Sequence, residues 1–499
     1  MRKISIVLLI LLHALIAVLL SANLNVWADE ASSLFTTNAP ILEVLKNSLV
    51  IEEQAPLYFL VLGLWRTIDD SFLWARLLSI IFSLFSIKIF AELVQRFVPK
   101  GFVYLFTVFF SLHPFLIWAS SEIRVYSLTI LLSLLLLKVF VAEYLDESFS
   151  RKNSFLMILT AVIAVYTNYY LVFLLFGFFL YLLLRSREVK LFRFLCEMFV
   201  VALLSIPLIF IIIEQMNLIT SDGFRKDTSI VEGIKNLWNI FLTFTFPMGI
   251  FPLDEQQTII ASVRNWLARV FFLTITILAF RWRREIFNFE LEALAIIFLT
   301  VGSCLLISYF LLGITYVQVR HASVWFVTVI VLLMLVLSRI LSKRLLFLFA
   351  CLMAIMFAYS FYLEYLPMAK RGDWMRVARF IEERETENQP VIVFQAYDAL
   401  ALMAHYRGIN KILPDEEFFK WGLESDPGSE AAFRKQIGFI ISKIPVDAEE
   451  IWLATDETCQ NPKTQAACAD LENFISSNYT ILLQKDFYLE RLRLLRKKP

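Results

Sequence analysis

Apolar runs of membrane-spanning length, broken by short basic segments, fill the first 363 residues of the chain. A bilayer crossing needs about 20 mostly apolar residues. On that measure 4–20, 72–95, 102–119, 124–144, 194–213, 266–280, 291–312, 321–337 and 345–362 read as single spans. The run 56–68 has only 13 residues and reads as an interfacial helix. Between Lys152 and Arg185 lies an apolar stretch interrupted by Thr167-Asn168-Tyr169-Tyr170. As one helix it would be about 46 Å long and would carry a basic cluster to the wrong side. Two short spans turning at Asn168 fit better, making eleven in all. Val26-Trp27-Ala28 resembles a signal-peptidase site, but the first run is long for a leader and a polytopic pattern follows it.

Basic residues orient these spans. Arg96/Lys100, Arg151/Lys152, Arg185 to Arg193, Arg281 to Arg284 and Arg339 to Arg344 belong on the cytoplasmic side. That assignment puts the amino terminus inside and residues 364–499 outside. It also gathers Asp29/Glu30, Gln54, Glu122/Arg124/Tyr126, Asn168/Tyr169/Tyr170, the loop 214–262 and Arg320/His321 on one external face. Asp222, Asp227, Asp254 and Glu255 in that loop read as solvated charges, and Trp238 with 241–246 as a helix dipping into the interface.

Past residue 363 the pattern changes. The last 136 residues hold 40 charged side chains, against 51 in the preceding 363. Helical patterns at 374–384, 399–406, 430–442 and 466–477 alternate with strand-like runs at 391–394, 451–455 and 480–484. The expectation is a transmembrane domain over 1–363, with a catalytic first external loop at 23–72, and an external α/β domain over 364–499 with a largely parallel sheet. With 59% hydrophobic residues and a net charge of +1, the chain is a polytopic membrane protein with no call for a nucleic-acid partner. Cys196, Cys304 and Cys351 sit in apolar runs. Cys459 and Cys468 flank a polar loop and are candidates for a disulfide if that domain is external.

The chemistry-bearing residues are few. Asp29 and Glu30 adjoin where the first span emerges, either as a solvated acidic turn or as a reactive pair in which each carboxylate raises the other's pKa. Glu122 and Arg124 lie two apart at the outer end of a span. They read as a mutually neutralising pair, or Arg124 as a phosphate ligand, since a guanidinium matches phosphate oxygens in bidentate fashion. Arg320-His321 opens another span as an interfacial anchor or a second phosphate contact. Lys88 and Glu92, four apart, read as a structural pair, His13 as a packed core histidine and His113 beside Pro114 as a helix-bend residue. There is no glycine-rich phosphate loop, metal-spaced Cys/His set or nucleophile elbow.

Trp27-Ala28-Asp29-Glu30-Ala31-Ser32, Ala55-Pro56-Leu57-Tyr58-Phe59, His113-Pro114-Phe115 and Ser121-Glu122-Ile123-Arg124-Val125-Tyr126 together resemble the polyprenyl-phosphate-dependent glycosyltransferases of the GT-C superfamily. The resemblance is to the branch of protein O-mannosyltransferases and the lipid A aminoarabinose transferase. Arg320-His321 and Asp373-Trp374 also look like positions in those relatives. The resemblance implies a GT-C-like membrane fold and an inverting glycosyltransferase of the bacterial inner membrane. It implies a polyprenyl-phosphate-linked sugar donor and a lipid, glycan or protein acceptor. Asp29 would be the catalytic base, Glu30 part of the acceptor site, and Arg124 a ligand of the lipid phosphate. Gln54-Ala55-Pro56 departs from the usual proline pair preceded by His or Lys, and Asn168 stands where some relatives have His. No cofactor is required, and a divalent metal stays open. A lipid or solute transporter and a non-catalytic envelope-polysaccharide assembly protein are the alternatives; mid-span charges or a two-fold pattern of broken helices would favour a transporter.

Overall fold

The computed structural model describes residues 3–499 except 147–148, 186–187, 222–228, 250–257, 282–287, 312–317, 367–371, 416–417, 419–429 and 461–467. The chain packs as two compact units. The first comprises residues 1–22, 54–216 and 225–364; the second comprises 23–53, 217–224 and 365–499. The segment carrying Asp29 and Glu30 therefore folds with the carboxy-terminal residues.

The first unit is a helical bundle. Its helices are α1 (Lys3–Asn23), α4 (Leu57–Arg66), α5 (Phe72–Phe97), α6 (Lys100–Ser111), α7 (Pro114–Ser120), α8 (Tyr126–Phe140), α9 (Arg151–Thr167) and α10 (Leu171–Arg185). There follow α11 (Glu188–Leu204), α12 (Ile206–Ser221), α13 (Ile230–Thr245), α14 (Thr258–Arg281), α15 (Phe289–Leu311), α16 (Ser323–Ile340) and α17 (Lys343–Tyr365). α8 runs on as one π-helical turn, Val141–Leu145. Among the described residues seven helices are long and apolar enough to span a membrane, and nine if the bent pairs α6/α7 and α11/α12 each count as one. α9 and α10, with 17 and 15 residues, are shorter than the usual span. The protein is a multi-pass membrane protein.

Ion pairs show which helix ends lie together. Arg96, at the end of α5, reaches Asp146 after α8 and Glu290 at the start of α15, both at 2.5 Å. Glu290 also meets Arg339 at the end of α16 at 3.3 Å. Arg185 at the end of α10 pairs with Glu292 at 2.5 Å, and Arg193 near the start of α11 with Glu143 at 2.6 Å. Ser154 in the first turn of α9 donates to Glu143 at 3.1 Å. Arg96, Arg185, Arg193 and Arg339 thus gather at one end of the bundle, and α9 and α10 form a pair turning at Asn168. One sequence expectation fails here. Glu92 pairs with Lys138 of α8 at 2.5 Å, while Lys88 points outward. The tight α5–α8 packing brings the lysine of α8 nearer to Glu92 than its neighbour on its own helix.

His13 is buried, its ring nitrogens 2.6 Å from the Ser111 carbonyl and 2.8 Å from the Ser83 hydroxyl. His113 caps α7, accepting from the Phe115 amide at 3.1 Å through Nδ1. Its Nε2–H donates to the Phe244 carbonyl at 3.0 Å, so both nitrogens are used where α6 and α7 meet at a 51° bend.

In the second unit, α2 (Ala28–Thr37) and α3 (Ile41–Val50) join α18 (Trp374–Glu382), α19 (Ala399–His405), α20 (Glu430–Lys443) and α21 (Ala469–Asn478) around a five-stranded sheet. The strands are β1 (Val391–Phe394), β2 (Ile412–Leu413), β3 (Glu450–Thr455), β4 (Tyr479–Asp486) and β5 (Arg491–Lys497), in the order β2-β1-β3-β5-β4. β1 runs parallel to β2 and to β3, whereas β5 runs antiparallel to β3 and to β4. The sheet is therefore mixed rather than largely parallel, because the chain closes with a hairpin. β1 and β3 are almost wholly buried, as strands covered on both faces must be. Ile392, Phe394, Ile451, Leu453, Leu495, Ile437, Ile440 and Ile475 form the core on one face of the sheet.

Candidate active site

Three turns of the first unit bring candidate residues together. In the first, α7 ends at Ser120 and residues 121–125 lead into α8. Glu122 and Arg124 are buried there, the former completely. Ser127 donates back to the Ala119 carbonyl at 2.8 Å, and the Trp118 and Tyr126 rings stack at 5.0 Å, which fixes the turn from both sides. Two buried charged side chains in a membrane unit are costly to maintain, and such residues mark functional positions.

The second turn joins α9 to α10. Asn168 accepts from the Tyr170 amide at 3.0 Å, an Asx turn that reverses the chain. Its side-chain amide donates to Thr129 Oγ1 at 3.2 Å, one helical turn after the Arg124 segment. Tyr169 donates to Gln215 Oε1 at 3.3 Å, and burial pushes its phenol up to about 12. The third turn precedes α16. His321 Nδ1 accepts from the Gln318 amide at 3.3 Å, and its ring lies 6.1 Å from that of Tyr170. Glu122, Arg124 and Tyr126, Asn168 and Tyr169, and Arg320 and His321 thus lie in adjacent turns linked through Thr129 and Tyr170. Gln54, half-buried, stands just before α4. Asp222, Asp227, Asp254 and Glu255 lie outside the described residues.

Two arginines escaped the sequence reading. Arg76, fully buried near the start of α5, donates to the Ser21 carbonyl at 2.8 Å. Arg264 on α14 is 9% exposed, and its Nε has no hydrogen-bond partner among the described residues. One turn along the same face, Ala268 packs into an apolar cluster with Phe246, Met353, Met356 and Phe357. The signal was the position of an arginine on the buried stripe of an apolar helix, at i and i+4 with Ala268. Nearby, Phe106, Phe109, His113, Phe244, Met334, Phe357 and their neighbours line a narrow apolar cleft of about 30 Å³, room for no more than a small guest in this state.

The second unit carries Asp29 and Glu30 in the first turn of α2, where the helix dipole favours carboxylates. Successive helix positions lie about 100° apart, so the two point differently. Glu30 is completely buried, whereas Asp29 is half-buried. Ser32 and Thr36, three and seven residues after Asp29 and so on its side of the helix, donate to Glu52 at 2.8 and 3.3 Å, tying α2 to the end of α3. Cys459 and Cys468 are joined by a disulfide, with Cα atoms 5.5 Å apart. Among the described residues no group of three or more His, Cys, Asp or Glu side chains is arranged to hold a metal ion.

No protein-family model and no curated protein matches the sequence. Solved structures do. An archaeal oligosaccharyltransferase, AglB from Archaeoglobus fulgidus, in complex with an inhibitory peptide and a dolichol-phosphate, aligns over 96% of this chain and 73% of its own, with 13% identity and a TM-score of 0.51. ArnT from Cupriavidus metallidurans, bound to undecaprenyl phosphate, aligns over 99% and 98% of the two chains with 11% identity and a TM-score of 0.45. The arabinofuranosyltransferase AftD from Mycobacteria aligns over 98% of this chain and 41% of its own, with 11% identity and a TM-score of 0.46. With AglB aligned over nearly the whole chain, the protein has a GT-C fold.

Proposed function

We propose that the protein is an inverting glycosyltransferase that takes a sugar from a polyprenyl-phosphate donor and passes it to a hydroxyl acceptor on the external face of the membrane. Two observations support this reading in a GT-C fold, each made within one unit. The helical unit has buried arginines, Arg124 and Arg264, and an apolar cleft in the same unit. The other unit has a half-buried carboxylate, Asp29, at a helix amino terminus.

The chemistry needs little more. A sugar on a lipid phosphate has an activated anomeric carbon, so no enzyme nucleophile is required. Asp29 takes the proton of the acceptor hydroxyl as the new glycosidic bond forms on the face opposite the phosphate. Arg124, with Arg264 and Arg320 or His321, neutralises the charge that develops on the departing phosphate. Glu30, completely buried, shapes the acceptor side. The same reading places 1–363 largely in a bacterial inner membrane, with 364–499 outside.

The test is chemical. In a strain lacking the protein, mass spectrometry of extracted lipids should show a polyprenyl-phosphate-linked sugar building up and its acceptor losing that sugar. Unchanged lipid-linked sugars would remove the proposal.

A further inference from the structure

The turn that carries Asp29 is held from outside itself. α2 begins after Trp27, whose side chain makes no capping hydrogen bond. The approach to it, Asn25-Val26, is nevertheless almost completely buried. Buried backbone and amide donors must find acceptors, and here both find them in the carboxy-terminal part of the same unit. The Val26 amide donates to His405 Nε2 at 3.0 Å, and the Asn25 side-chain amide donates to the Gly372 carbonyl at 2.5 Å. Gly372 has φ +110°, and a Cβ there would collide with Glu490 Oε1, so only glycine presents that carbonyl. His405 is the last residue of α19, and α19 packs along α2.

We propose that His405, with Asn25, is a positioning residue that fixes the Asp29 turn on the external domain, and that it does so only as a neutral imidazole. This rests on the reading of Asp29 as the base. A backbone N–H can only donate, so Nε2 must be the acceptor and the ring proton sits on Nδ1. Protonation puts a donor against a donor and releases Val26, three residues before Asp29. The elements packed against α19 carry Asp29 and Glu30 on α2, Arg376, Arg379 and Glu382 on α18, and Tyr397 and Asp398 in the turn before it. The proposed turnover therefore fails as pH falls through the imidazole range, around 6.5.

The experiment follows release of free polyprenyl phosphate from purified full-length protein in lipid nanodiscs. A total lipid and glycan extract of the strain lacking the protein serves as the probe, because it supplies both the accumulated lipid-linked sugar and the acceptor that lacks it. His405→Leu should lower kcat about 10- to 100-fold at every pH, because an ångström of misplacement suffices for that, with the donor KM little changed. His405→Gln keeps an acceptor oxygen and does not titrate. It should retain most of the activity, and its acid limb should move down by at least one pH unit. A His405→Gln profile superimposed on the wild type would overturn the proposal, as would His405→Leu at full kcat. If His405→Leu does not accumulate as folded protein, the His405→Gln profile decides alone. Asp29→Asn in the same assay separates the two ideas. Full turnover there defeats the base assignment, whereas a dead Asp29→Asn beside a fully active His405→Leu defeats only the positioning role.

Discussion

At the scale of single residues, neighbours in sequence have diverged in setting. Asp29 and Glu30 read alike as a pair, yet one helical step separates a half-buried carboxylate from a sealed one. Arg264 went unread because nothing in an apolar run distinguishes an inward arginine from a snorkelling one, except its phase relative to Ala268. That phase yields a test. A buried charge without a partner costs folding free energy, so Arg264→Met should leave thermal stability unchanged or raised while weakening donor binding. Arg124→Ala should also weaken it, by roughly 10- to 150-fold for a charge-assisted phosphate contact of about 1.5–3 kcal/mol. Arg124→Lys should recover only part, lacking the planar fork. Isothermal binding of extracted donor lipid checks all three. Asp456, after β3, offers a pH test. Burial, with Glu457 beside it, pushes its carboxyl up to about 7 against hydrogen bonds from Thr458. Between about 4 and 7 the unfolded chain is ionised there and the folded chain protonated, so stability falls as pH rises through that window. Relative to wild type, Asp456→Asn should therefore raise the melting temperature more at pH 7.5 than at pH 5.

Among the elements, those with strong local signals were legible. The Asn168 reversal follows from the basic residues that must stay on one side, and it appears as an Asx turn between two short helices. β5 was not foreseen. Its sequence, Arg491-Leu492-Arg493-Leu494-Leu495-Arg496-Lys497, has the charge of a solvated tail. It becomes a strand because Leu492 and Leu495 enter the core while Arg493 pairs with Glu472 on α21 at 2.6 Å, contacts no local rule contains. The disulfide was foreseen from two cysteines flanking a polar loop. Closing so short a ring limits the unfolded chain by about 2.5 kcal/mol. Cys459→Ser with Cys468→Ser should lower the stability of the carboxy-terminal unit by that order in a denaturant titration.

For the whole molecule, the multi-pass architecture was legible because hydropathy and charge asymmetry are long-range averages, and the GT-C resemblance because the short motifs at 27–32, 55–59, 113–115 and 121–126 occur together. The division into units was not. Residues 23–53 looked like a loop of the membrane domain, but they fold with residues 365–499, and only tertiary contacts such as Val26 to His405 reveal it. Arg96, Arg185, Arg193 and Arg339 converge at one end of the bundle, and the positive-inside tendency turns that into a prediction of orientation. A reporter fused after Tyr362 should be external and one fused at Arg185 cytoplasmic; protease protection of the carboxy-terminal domain from outside would reverse the scheme.

The central claim is that Asp29 is the base of a glycosyl transfer, and turnover and donor binding measured side by side on Asp29→Asn test it most directly. The amide keeps the shape of the side chain and removes the proton acceptor, so release of polyprenyl phosphate should fall by roughly 10²- to 10⁴-fold while donor affinity stays within about twofold. Wild-type turnover in Asp29→Asn, or a loss explained wholly by weaker donor binding, would contradict the account.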